Sequence, residues 1–333
     1  MKLRFLLVSL AIVFGGSANI YAQKKKSVVR SLFTGVCSFA FSPSQSKETE
    51  KTDVQKKSST HTTTSNNQEA VSLQSDVDVN IPQTSIVNSN TFAVIIANET
   101  YRRVETVPFA LNDGKVFKKY CEKVLGLPSR NIHLVENATL GDIHAEVNWI
   151  TRVMNAFQGE ARVIIYYAGH GIPDIQSKQA YLLPVDGIAT ETSTAYSLEK
   201  LYRNIGNAPA KSITYFIDAC FTGSKREDGM LASARGVSIK TKSNILYGNS
   251  VVFSAAANDQ TAYPMSAKRH GMFTYFLLKK LQETRGNITY SDLANYLQKE
   301  VAKEALLGSG HDQIPSIVAN STIESDWKKW RLF

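Results

Sequence analysis

The sequence predicts an α/β fold, a mostly parallel central sheet with helices on both faces in three layers. Three observations carry this. The runs FAVIIAN, VIIYYAGHG and SITYFIDACFTGS each carry an apolar, β-branched or aromatic stretch without polar alternation, which in the third is Ile213 to Ile217, so they read as strands buried on both sides rather than half-exposed ones. Stretches of helical period lie between them, and strands alternating with helices imply a parallel sheet. A long polar amino-terminal stretch shows neither pattern and confines the fold to the remainder.

At the start, Lys2 and Arg4 precede an apolar run, Phe5 to Phe14, too short to span a bilayer. Residues 1–22 therefore read as a signal peptide cut after Ala22, with Ala18 as the other site, and the protein is expected to be exported, to a periplasm or the exterior. No other stretch is long and apolar enough to be a transmembrane helix. Residues 23–90 are rich in Ser, Thr, Gln, Asn and Lys, which cannot bury enough apolar surface to offset their ordering entropy. A disordered linker or pro-segment is expected there. Lys24 to Lys26, Arg30, Lys56 and Lys57 offer it to proteases.

A folded domain is expected over 91–320, followed by a tail, 321–333. Its first strand starts at Phe92 and ends at Asn98. Asn112 and Asp113 form a helix-start signal, and Val116, Phe117, Tyr120, Val124 and Leu125 repeat at helical spacing up to Gly126 and Pro128. Ile132 to Val135 is a short strand, and Gly141 to Phe157 a helix with Ile143, Val147, Ile150 and Met154 on one face. Val163 to Gly171 is the next strand. Ala180 to Val185, Leu198 to Ile205 and Ser212 to Ser224 then supply a strand, a short helix and the strand that carries Cys220. A polar, basic loop spans Gly223 to Gly248 without periodicity. Ser250 to Ala256 is another buried strand, Met272 to Leu281 and Ser291 to Leu306 are helices, and Gln313 to Val318 is a last strand.

The net charge of +9 is spread out, with a surplus of four before residue 91 and five after it. With no dense basic block and no interleaved aromatics, nucleic-acid binding is not expected. Three cysteines, at 37, 121 and 220, are too few for a disulfide scaffold. Cys121 falls within a helical pattern, as a core residue would. Cys220 is either one more buried core residue or a nucleophile delivered by a central strand to the carboxyl edge of the sheet, where open α/β folds gather their chemistry.

His170, between Gly169 and Gly171, lies fifty residues before Cys220, and each comes just after a buried run. A thiolate is the nucleophile, so a reactive cysteine needs a base, and His170 is the candidate. The N–H groups of Gly171 and Cys220 are candidate oxyanion donors. The alternative is a turn histidine held by glycine geometry.

YYAGHG at Tyr166 to Gly171 and DAC at Asp218 to Cys220 resemble the caspase family in the broad sense, including the metacaspases and bacterial caspase-like peptidases. Asn112-Asp113, YLLPVDG at Tyr181 to Gly187 and FSAAAND at Phe253 to Asp259 support the likeness, which covers about Thr91 to Val318. It implies a three-layer caspase-like fold, and a His170–Cys220 dyad that cleaves peptide bonds of a protein or peptide substrate through a thioester. Classical caspases have glutamine two residues before the cysteine. Asp218 stands there in this chain, and a carboxylate attracts P1 Lys or Arg, as in metacaspases. Asp113 matches a second pocket acid of that group. The structural alternatives are a turn cap for Asp218 and a helix cap for Asp113, and Arg102, Arg103, Lys268 and Arg269 are the basic residues on which an acidic P1 preference would rest.

Metacaspases often carry serine where this chain has Ala168, and many carry an acidic pair that helps bind calcium. Here Ser197, Leu198 and Glu199 occupy the corresponding region. Asp174 and Asp186 are two acids where calcium needs six or more oxygens, so no metal ligand set and no required cofactor are assigned, and calcium dependence stays open. Lys225, Arg226, Arg235, Lys240 and Lys242 make residues 223–248 either a self-processing loop or a solvated connection. A non-catalytic caspase-like binding module is the reading from another class. Oligomeric state stays open.

Overall fold

The computed structural model describes residues 74–174, 176–221, 245–257, 260–323 and 325–333. The expected signal peptide, most of the linker and residues 223–244 of the expected processing loop lie outside them, as do Asn258 and Asp259.

Five parallel strands make the body of the sheet: β1 (Thr91–Ala97), β2 (Ile132–Glu136), β3 (Arg162–Ala168), β7 (Ser212–Asp218) and β8 (Ser250–Ser254). A sixth, β9 (Ser316–Ala319), runs antiparallel along the edge of β8, giving the order β9-β8-β7-β3-β1-β2. β1 and β7 are buried at every position, as their unbroken apolar runs require.

Alternation of side chains across each strand then builds two cores. Ala93, Ile95, Ile164, Tyr166 and Phe216 face α1 (Ala110–Lys123), α4 (Met272–Thr284) and α5 (Tyr290–Ser309). Phe92, Val94, Val163, Ile165, Ile213 and Ile217 face α2 (Leu140–Phe157) and α3 (Leu198–Gly206). This is the expected three-layer arrangement. Thr139 starts α2 with a capping box, its hydroxyl accepting from Asp142 N while the Asp142 carboxylate accepts from Thr139 N.

Two features differ from the sequence reading. The strand expected to run on to Gly171 ends at Ala168, and the chain restarts as β4 (Gly171–Pro173), which pairs antiparallel with β5 (Ala180–Leu182) and through it with β6 (Tyr196–Ser197). Gly169 sits in the break because a Cβ there would lie 2.7 Å from Tyr101 Oη and 2.8 Å from Tyr167 Oη. The other difference concerns the segment expected to be disordered up to residue 90. From Gln74 onward it belongs to the same compact unit as the rest of the domain. Val77 is fully buried, Asp76 pairs with Lys268 and Lys279 at 2.9 Å each, and Gln282 Nε2 donates to the Asp76 and Val79 carbonyls. These ion pairs hold the Asp76 carboxyl below the usual carboxylate range although partial burial opposes it. The tail, 321–333, also packs: Leu332 is buried, and Trp330 and Phe333 lie against the α4–α5 core. No helix among the described residues is long and apolar enough to cross a membrane.

Candidate active site

β3 and β7 are paired in register to their last residues, Ala168 opposite Asp218, and Gly169 N donates to Asp218 O at 3.2 Å. Two residues further on, each strand releases a residue with chemistry, His170 from β3 and Cys220 from β7. The two leave adjacent strands at the same level, on the carboxyl edge of the sheet. Gly171 lets the two segments approach closely, since a Cβ at that position would lie 2.6 Å from the Cys220 carbonyl oxygen and 2.4 Å from two carbons of the Phe221 ring. Only glycine fits there.

His170 is held on three sides. Its N–H donates to Tyr101 Oη at 2.7 Å, its carbonyl accepts from Tyr167 Oη at 2.7 Å, and its ring lies 4.8 Å from that of Tyr101, tilted by 47°. The ring nitrogen Nε2 is 2.8 Å from the Glu105 carbonyl. A carbonyl only accepts, so Nε2 carries a proton and the neutral ring keeps its lone pair on Nδ1. Cys220 is partly exposed, its Sγ 3.6 Å from Gln260 O and 3.8 Å from Thr261 Oγ1. Cys121, by contrast, is sealed in α1, where burial pushes its thiol far above the usual range. Of the two cysteines described, only Cys220 sits where a substrate can arrive.

Alternation along β7 puts Asp218 on the same face as Phe216, toward α1 and α4. There its Oδ2 accepts from Thr274 N at 3.3 Å and Thr274 Oγ1 at 2.7 Å, so the carboxylate serves the first turn of α4. Thr274 Oγ1 also lies 2.7 Å from Tyr166 Oη. Asp113 reaches the same place from α1. The helix begins at Ala110 and Asp113 N donates to Phe109 O within it, so its carboxylate is not a helix cap. Instead Oδ2 accepts from Gly271 N at 3.0 Å and Oδ1 lies 2.6 Å from His270 Nδ1. Both acids are almost fully buried, Asp113 at 2% and Asp218 at 3% exposure. Burial pushes the Asp113 carboxyl up to about 7, and the Asp218 charge adds to the rise while the bonds from His270 and Gly271 oppose it.

Sequence reasoning missed His270 and the Glu105 carbonyl. The repeated His-Gly pair, 170–171 and 270–271, is a signal for the first. A backbone carbonyl has no signal of its own. The basic residues considered for an acidic pocket are dispersed: Lys268 is paired with Asp76, while Arg102, Arg103 and Arg269 lie at the surface. Asp174 and Asp186 serve separate turns, the first accepting from Gln176 N and Ser177 N, the second from Leu140 N at the start of α2.

An α/β sandwich with a thiol and an imidazole at neighbouring strand ends of its carboxyl edge has the architecture of a class of cysteine peptidases. Residues 90–325 match the caspase domain of peptidase family C14, and the chain belongs to that family of cysteine peptidases. A solved protein of Geobacter sulfurreducens has the same fold at 14% identity and a TM-score of 0.53, over 73% of this chain and 97% of its own. Caspase-1 from Spodoptera frugiperda is 14% identical over 72% of this chain and 91% of its own, with a TM-score of 0.49. No curated protein sequence matches the chain.

Proposed function

We propose that the chain is an exported cysteine endopeptidase that uses Cys220 as nucleophile and His170 as base and cleaves after Lys or Arg. The observation that carries this is the in-register pairing of β3 and β7, which sets His170, Cys220 and Asp218 at one end of two neighbouring strands. With Nε2 held by Glu105, the proton of the thiol passes to Nδ1, and the thiolate attacks the scissile carbonyl. The oxyanion is received by the N–H groups of Cys220 and Gly171. The imidazolium, steadied by the Glu105 carbonyl, then gives its Nδ1 proton to the leaving amine. Water hydrolyses the thioester by the same relay in reverse. The chemistry needs no cofactor.

Asp218 and Asp113 provide the negative end of the P1 pocket. A buried carboxylate is the group that pairs best with a guanidinium or ammonium, and with arginine it does so through two parallel hydrogen bonds. The basic residues of 223–248 make that segment a substrate for the same specificity.

Peptides differing only in P1 test the reading. Arg and Lys are expected to exceed Asp and Ala in kcat/KM by about 10²-fold or more. A preference for Asp would overturn it.

A further inference from the structure

The segment Ser75–Val79 lies before the family domain, which begins at residue 90, yet it supplies one wall of a buried ionic chain. His270, with no exposed surface, has both ring nitrogens on carboxylates: Nδ1 is 2.6 Å from Asp113 Oδ1 and Nε2 is 2.9 Å from Asp78 Oδ1. While Asp113 and Asp78 are both ionised they only accept, and the ring that satisfies both then carries two protons and one positive charge. Asp78 is placed for this by its neighbours, Val77 in the core and Asp76 between Lys268 and Lys279, while Tyr120 Oη donates to the Val77 carbonyl at 2.8 Å.

We infer that His270, clamped by Asp78, is a positioning residue for P1 recognition: it keeps Asp113 a carboxylate beside Asp218, so a strap outside the family domain takes part in selecting a basic side chain. The inference rests on the reading of Asp218 and Asp113 as the P1 pocket. Two acids buried near one another cannot both ionise without a cation, and their natural course is to share a proton. A cation placed between Asp113 and Asp78 removes that obstacle. The groups facing the ring are Asp113 and the Asn112 amide from α1, Asp78 from the strap and Tyr275 from α4, with Asp218 behind Asp113; among the described residues these include no second cation in contact with it. Burial alone would favour the neutral ring, but the bonds and charges of Asp113 and Asp78 outweigh it and raise the imidazole above its ordinary value. This fixes the sign of the pH dependence. As pH falls, Asp113 takes up a proton and a P1 cation loses its partner, so recognition of Arg has an acid limb that recognition of an uncharged P1 lacks.

Asp78→Asn in the full chain tests it. The expected result is a fall of about tenfold in kcat/KM for P1 Arg, mostly in KM, with the acid limb moved to higher pH, a neutral-P1 peptide changed little, and recovery in Asp78→Glu. An unchanged ratio of Arg to neutral P1 and an unmoved acid limb would overturn the inference while leaving the pocket reading intact. Wild type that shows no basic preference sinks both. A readout independent of activity uses the Cys220→Ala protein, with the His270 nitrogens identified by their loss in His270→Gln. Imidazole nitrogen shifts at pH 7 are expected to show both nitrogens protonated, and a neutral ring contradicts the inference.

Discussion

Replacing Cys220 by alanine is expected to lower the turnover of a P1-Arg peptide by at least about 10³-fold while leaving the melting temperature near its original value. The loss of rate comes from the chemistry, because alanine removes the atom that forms the thioester and no second described cysteine stands at the sheet edge. The unchanged stability comes from packing. Cys220 lies beyond the last residue of β7 and is partly exposed, so losing Sγ opens no sealed cavity and gives up weak contacts such as those with Gln260 O and Thr261 Oγ1. His170→Ala is expected to match it in rate, and the double variant to be no worse than either single one, because the two side chains act as one unit. Equal rates for wild type and Cys220→Ala would leave the fold standing and remove the dyad.

Asp218→Asn is expected to reduce kcat/KM for P1 Arg by about 10²- to 10³-fold and to change a neutral-P1 peptide by less than about fivefold. Asparagine keeps the oxygen that Thr274 N and Oγ1 donate to, so the tie between β7 and α4 survives and the variant should fold. What goes is charge in a nearly dry place. Two unit charges 4 Å apart interact by about 4 kcal/mol at an effective dielectric near 20, and the change leaves the P1 cation to be buried without that return. An unaltered preference for Arg would show that Asp218 serves the first turn of α4 alone, and that the specificity lies elsewhere.

The sheet edge that carries His170 and Cys220 was legible because its causes are local. Uniform apolar runs mark β1, β3 and β7 as strands buried on both faces, and the residues just past each run land on the carboxyl edge. His170 and Cys220 could therefore be paired across fifty residues of sequence. Helix bounds were read within a few residues, although Asn112-Asp113 suggested a start where the helix has already turned, and that small offset is what frees the Asp113 carboxylate to meet His270. The strap was not legible. Its composition is that of a linker, and it is ordered by partners about two hundred residues away: Lys268, His270, Lys279 and Gln282. Composition counts the charges of a segment but not the countercharges waiting for it, so a short run with two Val and two Asp can dock where its average character predicts disorder. The Glu105 carbonyl that orients His170 was invisible for a different reason, since every residue has a carbonyl and only the fold selects one.

Whether Cys220 is a nucleophile serving a pocket for basic side chains is tested most directly by trapping. Full-length protein is treated with a peptidyl ketone inactivator bearing P1 Arg, or its counterpart bearing P1 Asp, and the adduct is located by peptide mass spectrometry. The expected result is one adduct, on Cys220, formed rapidly with the Arg compound, slowly or not at all with the Asp compound, and lost in His170→Ala. An adduct on Cys37 or Cys121, or equal labelling by both compounds, would contradict the account.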